Sequence, residues 1–179
     1  GYTVRYLLGG AEQAGDSVQG TVRTDTTVAL IVENRETGAT VQIPLRKELE
    51  APDGEAHTYT VHLQQVLGQD DPTPAEPGYA RERTITITDA PIEDAFTIDY
   101  PRSALTALPQ TFYYRIWEDP APGTDCDAAV YIAAVTVQEQ DGELTAVLTG
   151  LWKDGAALEG DAAQQVVFHN QLSSYMLPE

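Results

Sequence analysis

Val166-Val167-Phe168-His169-Asn170, near the C-terminal end of the chain, has the alternation of a β-strand. It puts Val166, Phe168, Asn170 and Leu172 on one face. Three of the four are apolar, so that face belongs against a core. Asn170 then aims a carboxamide into hydrophobic surroundings, where an unpaired amide costs about 1–3 kcal/mol. A side chain in that position requires a partner, and the rest of the sequence supplies two.

Few segments of the 179 residues carry helical periodicity. Short alternating runs of Val, Ile, Tyr and Thr, separated by Gly, Pro and Asp, predict an all-β, immunoglobulin-like antiparallel sandwich. A net charge of −18 argues against nucleic acid and anionic membrane surfaces as partners. No apolar run is long enough to cross a membrane. Cys126 is the one cysteine, which excludes an intrachain disulfide or a multi-cysteine metal site. Lysine is scarce: of ten basic residues only Lys47 and Lys153 carry an amine. No signal peptide is present. The chain opens on Gly1-Tyr2-Thr3-Val4, a mid-strand pattern, so it is expected to be an excerpt of a longer protein.

In chain order, strands are predicted at 2–8, 18–23 and 27–33, with Gly9-Gly10 and the polar run to Asp16 breaking the first. Arg35-Glu36-Thr37-Gly38 is expected to be a turn or linker. Three strands are too few to close a sandwich. Residues 1–38 are therefore expected to be the C-terminal part of a preceding β domain, the alternative being a hairpin extension of the main one. Asn34, ending a strand as Asn170 does, would be the bond acceptor of that first domain. The main domain spans 39–172, with a tail at 173–179. Its first strand puts Val41, Ile43, Leu45, Lys47 and Leu49 on one face, and Pro44 implies an edge strand or a bulge. Tyr59, Val61 and Leu63 mark the next inward face. Residues 68–78 form an exposed Pro- and acid-rich loop. Strands follow at 83–88, 95–100, 111–118, 130–138, 144–152 and 165–170, with turns at Asp141-Gly142 and Lys153-Asp154-Gly155.

Three polar residues fall on apolar faces: Lys47 in the first strand, Glu118 with Phe112, Tyr114 and Ile116, and Asn170 in the last. They are chemically complementary. Burial disfavours a charged amine, so Lys47 can act as a neutral nucleophile. The Asn170 carboxamide is an electrophile. A protonated Glu118 can polarise the amide oxygen and shuttle protons to departing ammonia. The product would be a Lys–Asn isopeptide bond. The alternative is a buried Lys47–Glu118 ion pair with Asn170 capping the strand end.

These residues carry a resemblance. Val41-x-Ile43-x-Leu45-x-Lys47-x-Leu49 resembles the first strand of the pilin isopeptide-linkage domains, relatives of the Cna B-type modules of Gram-positive surface proteins. Tyr113-Tyr114-Arg115-Ile116-Trp117-Glu118 resembles their Tyr-x-Tyr-x-Ile-x-Glu strand. Asp127-Ala128-Ala129-Val130-Tyr131, with Ala133, Val135 and Val137 after it, is similar to their Tyr-Asp-x-x-x-Tyr and the strand that follows. Phe168-His169-Asn170 matches their closing Phe-x-Asn. Cys126 departs from the pattern, standing where an aromatic residue is common. The resemblance implies an autocatalytic Lys47–Asn170 bond assisted by Glu118, no cofactor, no turnover activity, and a structural or adhesive role in an extracellular stalk. Leu177-Pro178-Glu179 resembles the start of a Leu-Pro-x-Thr-Gly sorting signal, which implies sortase and cell-wall peptidoglycan as partners. Tyr100-Pro101-Arg102 resembles the Tyr-Pro-Lys of pilin motifs, but arginine lacks the amine that polymerisation needs. Lys153, expected in a hairpin turn, is then the free lysine, and an anchor or accessory role is expected.

A second function class is a module binding a host ligand or glycan. Tyr113 and Trp117 face away from the predicted core and, with Arg115, would offer an aromatic strip, unless a loop or the 1–38 segment covers them. Asp119, Asp125 and Asp127 lack the dense spacing of a calcium loop. His57, His62 and His169 form no catalytic or zinc pattern.

Overall fold

The computed structural model describes residues 2–8, 11–13, 30–36 and 38–173. The main domain is a sandwich of two sheets. Its strands are β4 (Gly38–Glu50), β5 (His57–Val66), β6 (Ala80–Ile87), β7 (Ile92–Pro101), β8 (Gln110–Glu118), β9 (Thr124–Asp125), β10 (Tyr131–Gln140), β11 (Glu143–Lys153), β12 (Ala156–Ala157) and β13 (Val166–Leu172). They follow β1 (Tyr2–Leu8), β2 (Ala11–Gln13) and β3 (Leu30–Glu36), which form a separate three-stranded sheet in the order β2-β1-β3. The larger sandwich sheet runs β12-β11-β10-β8-β5-β6, and the smaller β7-β4-β13-β9. Short 3₁₀ turns at Arg102–Ala104 and Gly160–Gln164 are the helical segments among the described residues.

The core follows from alternation. Val41, Ile43 and Leu45 of β4 and Val166 and Phe168 of β13 face Val61 and Leu63 of β5, Tyr114 and Ile116 of β8, Ala133, Val135 and Val137 of β10 and Leu151 of β11, all buried. Chain reversal is local where the residues allow it. Asp141-Gly142 joins β10 to β11 and Asp154-Gly155 joins β11 to β12, each with both central residues at positive φ, as a two-residue hairpin matched to strand twist requires.

Four details differ from the sequence expectation. The first and last strands of the domain, β4 and β13, pair in parallel, Phe168 opposite Lys47 and Asn170 opposite Leu49, in an otherwise antiparallel sandwich. A parallel pair needs a long crossover, and here everything between the two strands serves as one. Secondly, β4 is an interior strand, held by β7 on one side and β13 on the other. Pro44 is tolerated because β13 joins only at Leu45, leaving Pro44 in the stretch paired to β7 alone. Thirdly, Arg35 and Glu36 are not a linker: β3 continues through Glu36, pairing with Tyr2, and β4 begins at Gly38. Ala11–Gln13 likewise returns against β1 as a strand, where a plain break was expected. Fourthly, Lys153 closes β11, and the turn beyond it is Asp154-Gly155. The strand expected at 18–23, the start of the one at 27–33 and the tail at 174–179 lie outside the described residues.

A buried lysine, glutamate and asparagine

Strand alternation delivers three polar side chains to one point inside the sandwich. Lys47 follows Leu45 on the inward face of β4 and is fully buried. Glu118 is the last residue of β8, opposite Val61 of β5. Asn170 sits on β13, two residues past Phe168, the residue paired with Lys47. These three are the buried polar or charged side chains among the described residues.

Glu118 bridges the other two. Lys47 Nζ donates to Glu118 Oε2 at 2.6 Å, and Asn170 Nδ2 donates to Glu118 Oε1 at 2.5 Å. The amine lies 4.5 Å from the centre of the Tyr59 ring and 5.9 Å from that of Phe168. Burial pushes the Lys47 amine below the usual lysine range, against the opposing pull of the Glu118 carboxylate. The amine is thereby held closer to its neutral, nucleophilic form.

The orientation of the amide differs from expectation. Glu118 meets the amide nitrogen, whereas the carbonyl oxygen, Oδ1, accepts from the Asp127 backbone N–H at 2.8 Å. A backbone N–H can only donate, so the oxygen end of the amide must face it and the NH₂ must face Glu118. Glu118 is therefore in contact with the atom that would leave and the atom that would attack. It does not polarise the oxygen.

Asp127 is the residue that sequence reasoning left outside the site. Its Oδ1 accepts from Ala129 N at 3.0 Å; its Oδ2 accepts from His169 N at 3.2 Å and from Lys153 Nζ at 3.4 Å. Burial works against its ionisation, but the Ala129 and His169 N–H groups and the Lys153 charge outweigh burial and hold its carboxyl below the usual range. Its place in the family-like run Asp127-Ala128-Ala129-Val130-Tyr131 was the available signal. Cys126, next to it, packs with Leu49, Tyr59 and Ile87 and accepts from Ala121 N at 3.2 Å; burial pushes its thiol up.

The remaining candidates are placed apart from this point. Lys153 is half-buried, paired to Asp127 and 5.4 Å from the Tyr131 ring centre. Asp119 pairs with His62 at 2.7 Å, His57 with Asp53 at 2.9 Å and His169 with Glu48 at 2.9 Å. Among the described residues no group of three or more His, Cys, Asp or Glu side chains is placed to hold a metal ion. Trp117 of the aromatic strip is packed within its own sheet: the His62 ring stacks on it at 5.0 Å, and the Arg115 guanidinium lies 4.8 Å from its ring centre. Neither a loop nor residues 1–38 are needed to explain why Trp117 is half-buried. The side chain of Asn34, whose backbone pairs with Val4, and the whole of Leu177-Pro178-Glu179 lie outside what the structure describes.

No known family model matches the sequence, and no curated protein matches it. Among solved structures, the chain is similar to the major pilin from Streptococcus pyogenes, with 17% identity and a TM-score of 0.43 over 76% of this chain and 51% of that one. A second is the major pilin protein T-13 of the same species, with 14% identity and a TM-score of 0.40 over 74% of this chain and 53% of that one. The chain spans about half the length of these pilins.

Proposed function

We propose that this chain is a stalk module of a surface or pilus protein, locked by an isopeptide bond that it forms between its own Lys47 and Asn170. The observation that carries the proposal is the buried three-membered site itself. A lysine and a carboxamide on adjacent strands are bridged, away from water, by one carboxyl group in contact with both reacting nitrogens. An isolated buried ion pair is weak support for stability and is often matched by apolar replacements. A site of this kind has a clearer rationale as a reacting one.

The steps balance as follows. Glu118 takes a proton from Lys47, leaving a neutral amine and a carboxylic acid. The Lys47 nitrogen attacks Cγ of Asn170, and the C=O pair moves onto Oδ1. Glu118 then gives its proton to Nδ2 and recovers one from the attacking nitrogen. The C–N bond to Nδ2 breaks, ammonia leaves, and an amide joins the two side chains. Asn170 borders an open cleft of about 480 Å³ lined in part by Asp125, Asp127, Lys153 and His169, which offers ammonia a way out. One event per chain is the whole chemistry, with no cofactor and no turnover.

The mechanical consequence follows from topology. Because β4 and β13 are parallel, the chain comes in at Gly38 and leaves at Leu172 at opposite ends of the strand pair, separated by roughly 40 Å at ~3.3 Å per residue. With the bond in place, tension runs from Gly38 to Lys47, across to Asn170 and out, bypassing everything between. Residues 1–38 would be the end of a preceding β domain, and Leu177-Pro178-Glu179 the start of a sortase signal anchoring the protein to peptidoglycan outside a Gram-positive cell. Lys153, held by Asp127, is poorly disposed to serve a polymerising sortase, so an anchor or accessory position is proposed. The test is single-molecule pulling between handles on either side of residues 39–172. The wild-type domain should show no unfolding extension, and Asn170→Ala should release the contour length of the whole domain. A wild-type domain that extends fully would refute the mechanical role.

A further inference from the structure

We infer that the backbone N–H of Asp127 is the oxyanion donor of the linking reaction, and that the Asp127 carboxylate is the device that holds it in position. This rests on the proposed reaction between Lys47 and Asn170.

When an amine adds to a carboxamide, negative charge collects on the carbonyl oxygen. An N–H already aimed at that oxygen stabilises the charge without reorganising. Glu118 cannot do this, because both of its oxygens are engaged with nitrogens. The Asp127 N–H already sits 2.8 Å from Oδ1, within the range an oxyanion donor requires.

The donor comes from a loop, and a loop amide needs to be held. The carboxylate of Asp127 provides the hold in three directions. It accepts the N–H of His169, the residue next to Asn170 on β13, and the N–H of Ala129 two residues along its own chain; Lys153 from the end of β11 faces the same carboxylate. Residue 127 and β13 are therefore joined reciprocally. The loop gives an N–H to the Asn170 side chain, and the strand gives one back to the Asp127 side chain. A second clasp fixes the far end of the loop, where Val130 N donates to Asp154 Oδ1 and Asp154 N to Val130 O, both at 2.9 Å. Rotation of the loop away from β13 would cost both ends of the first clasp at once.

The decisive experiment deletes one N–H and nothing else. Full-length chain is made by cell-free translation with the α-hydroxy analogue of aspartate at position 127, which replaces the N–H by an ester oxygen. Samples are quenched over time and the linked fraction is read as the loss of one ammonia by intact mass. The ester chain should link about 10²-fold more slowly than wild type, the cost typical of one oxyanion donor. In parallel, Asp127→Ala should be slowed, and Asp127→Asn, whose single carboxamide oxygen can accept from His169 or from Ala129 but not replace both carboxylate oxygens, should fall between Asp127→Ala and wild type. Equal rates for ester and wild type would overturn the inference while leaving the Lys47–Asn170 reaction standing. A wild-type chain that never loses ammonia would overturn both. If the ester chain does not fold, the two side-chain variants decide: linkage slowed in Asp127→Asn and slowed further in Asp127→Ala supports the positioning role, and rates equal to wild type refute it.

Discussion

Two polar clusters are buried in the same sandwich, and they obey different rules. Toward one end, Tyr100 and Tyr114 share a hydrogen bond between their hydroxyls at 2.7 Å. Burial raises both phenols, Tyr114 to about 12, so each stays neutral. Their polar atoms satisfy each other, their rings pack in the core, and nothing further is required of them. Toward the other end, Lys47, Glu118 and Asn170 carry an ionisable amine and an ionisable carboxyl with no exposed surface on either side chain. Removing such charges from water costs several kcal/mol per ion, which their mutual attraction need not recover. A neutral satisfied pair is explained by stability. A buried charged site beside an electrophile is better explained by the reaction it permits.

Substitutions can break this contrast. Glu118→Ala has the largest expected effect. It removes the proton carrier, so the bond does not form, and it leaves Lys47 buried without a partner, an uncompensated charge worth about 3–5 kcal/mol. The chain should keep its full mass and melt well below every other variant. Asn170→Ala comes next. It removes the acceptor and the amide's hydrogen bonds to Glu118 and Asp127 but keeps the Lys47–Glu118 pair, so most of the loss should be that of the crosslink. By the loop-closure estimate for a crosslink spanning about 120 residues, that is roughly 4–5 kcal/mol. Denaturant unfolding of the two variants side by side separates the bond from the ion pair.

A smaller effect of known sign follows from the Lys47 amine. In the unlinked Asn170→Ala chain, burial lowers the folded-state pKa of Lys47 below its ordinary value of 10.5. Between the lowered value and 10.5 the unfolded chain binds a proton that the folded chain does not, so the contribution of this group to stability rises with pH. It is complete above 10.5 and is lost as the pH falls toward the lowered value. Unfolding of Asn170→Ala relative to a Lys47→Ala, Asn170→Ala double variant should therefore show a relative gain for the lysine-bearing chain as the pH rises through this window. A relative loss would contradict it. Smallest is Tyr114→Phe, which removes one hydrogen bond from the neutral pair at about 1 kcal/mol and should leave the linked mass untouched. If it blocked linkage, the two clusters would not be independent.

The three-membered site was legible in the sequence because strand periodicity is unforgiving. Lys47, Glu118 and Asn170 each follow an apolar residue two positions earlier, Leu45, Ile116 and Phe168, and a side-chain period of two sends all three inward. The paired hairpin turns were legible from Asp141-Gly142 and Asp154-Gly155 for the same local reason. What was not legible depends on neighbours. Pro44 suggests an edge strand until the register with β13 is known. Arg35 and Glu36 look like a linker because nothing local shows that Tyr2 pairs with Glu36. The amide orientation of Asn170, and with it the part played by Asp127, is set by a loop N–H arriving from 43 residues away along the chain. No periodicity encodes such a contact. His62 likewise stacks on Trp117 from the adjacent strand, a match visible only once β5 and β8 are in register.

The most direct test of the central claim is the intact mass of the purified, unfolded wild-type chain. It should be lighter than its sequence by one ammonia, and fragmentation should place the loss on a branched peptide joining Lys47 to Asn170. A wild-type chain at its full sequence mass would contradict the claim, and Lys47 and Glu118 would then be an ordinary buried ion pair with Asn170 as its hydrogen-bonding neighbour.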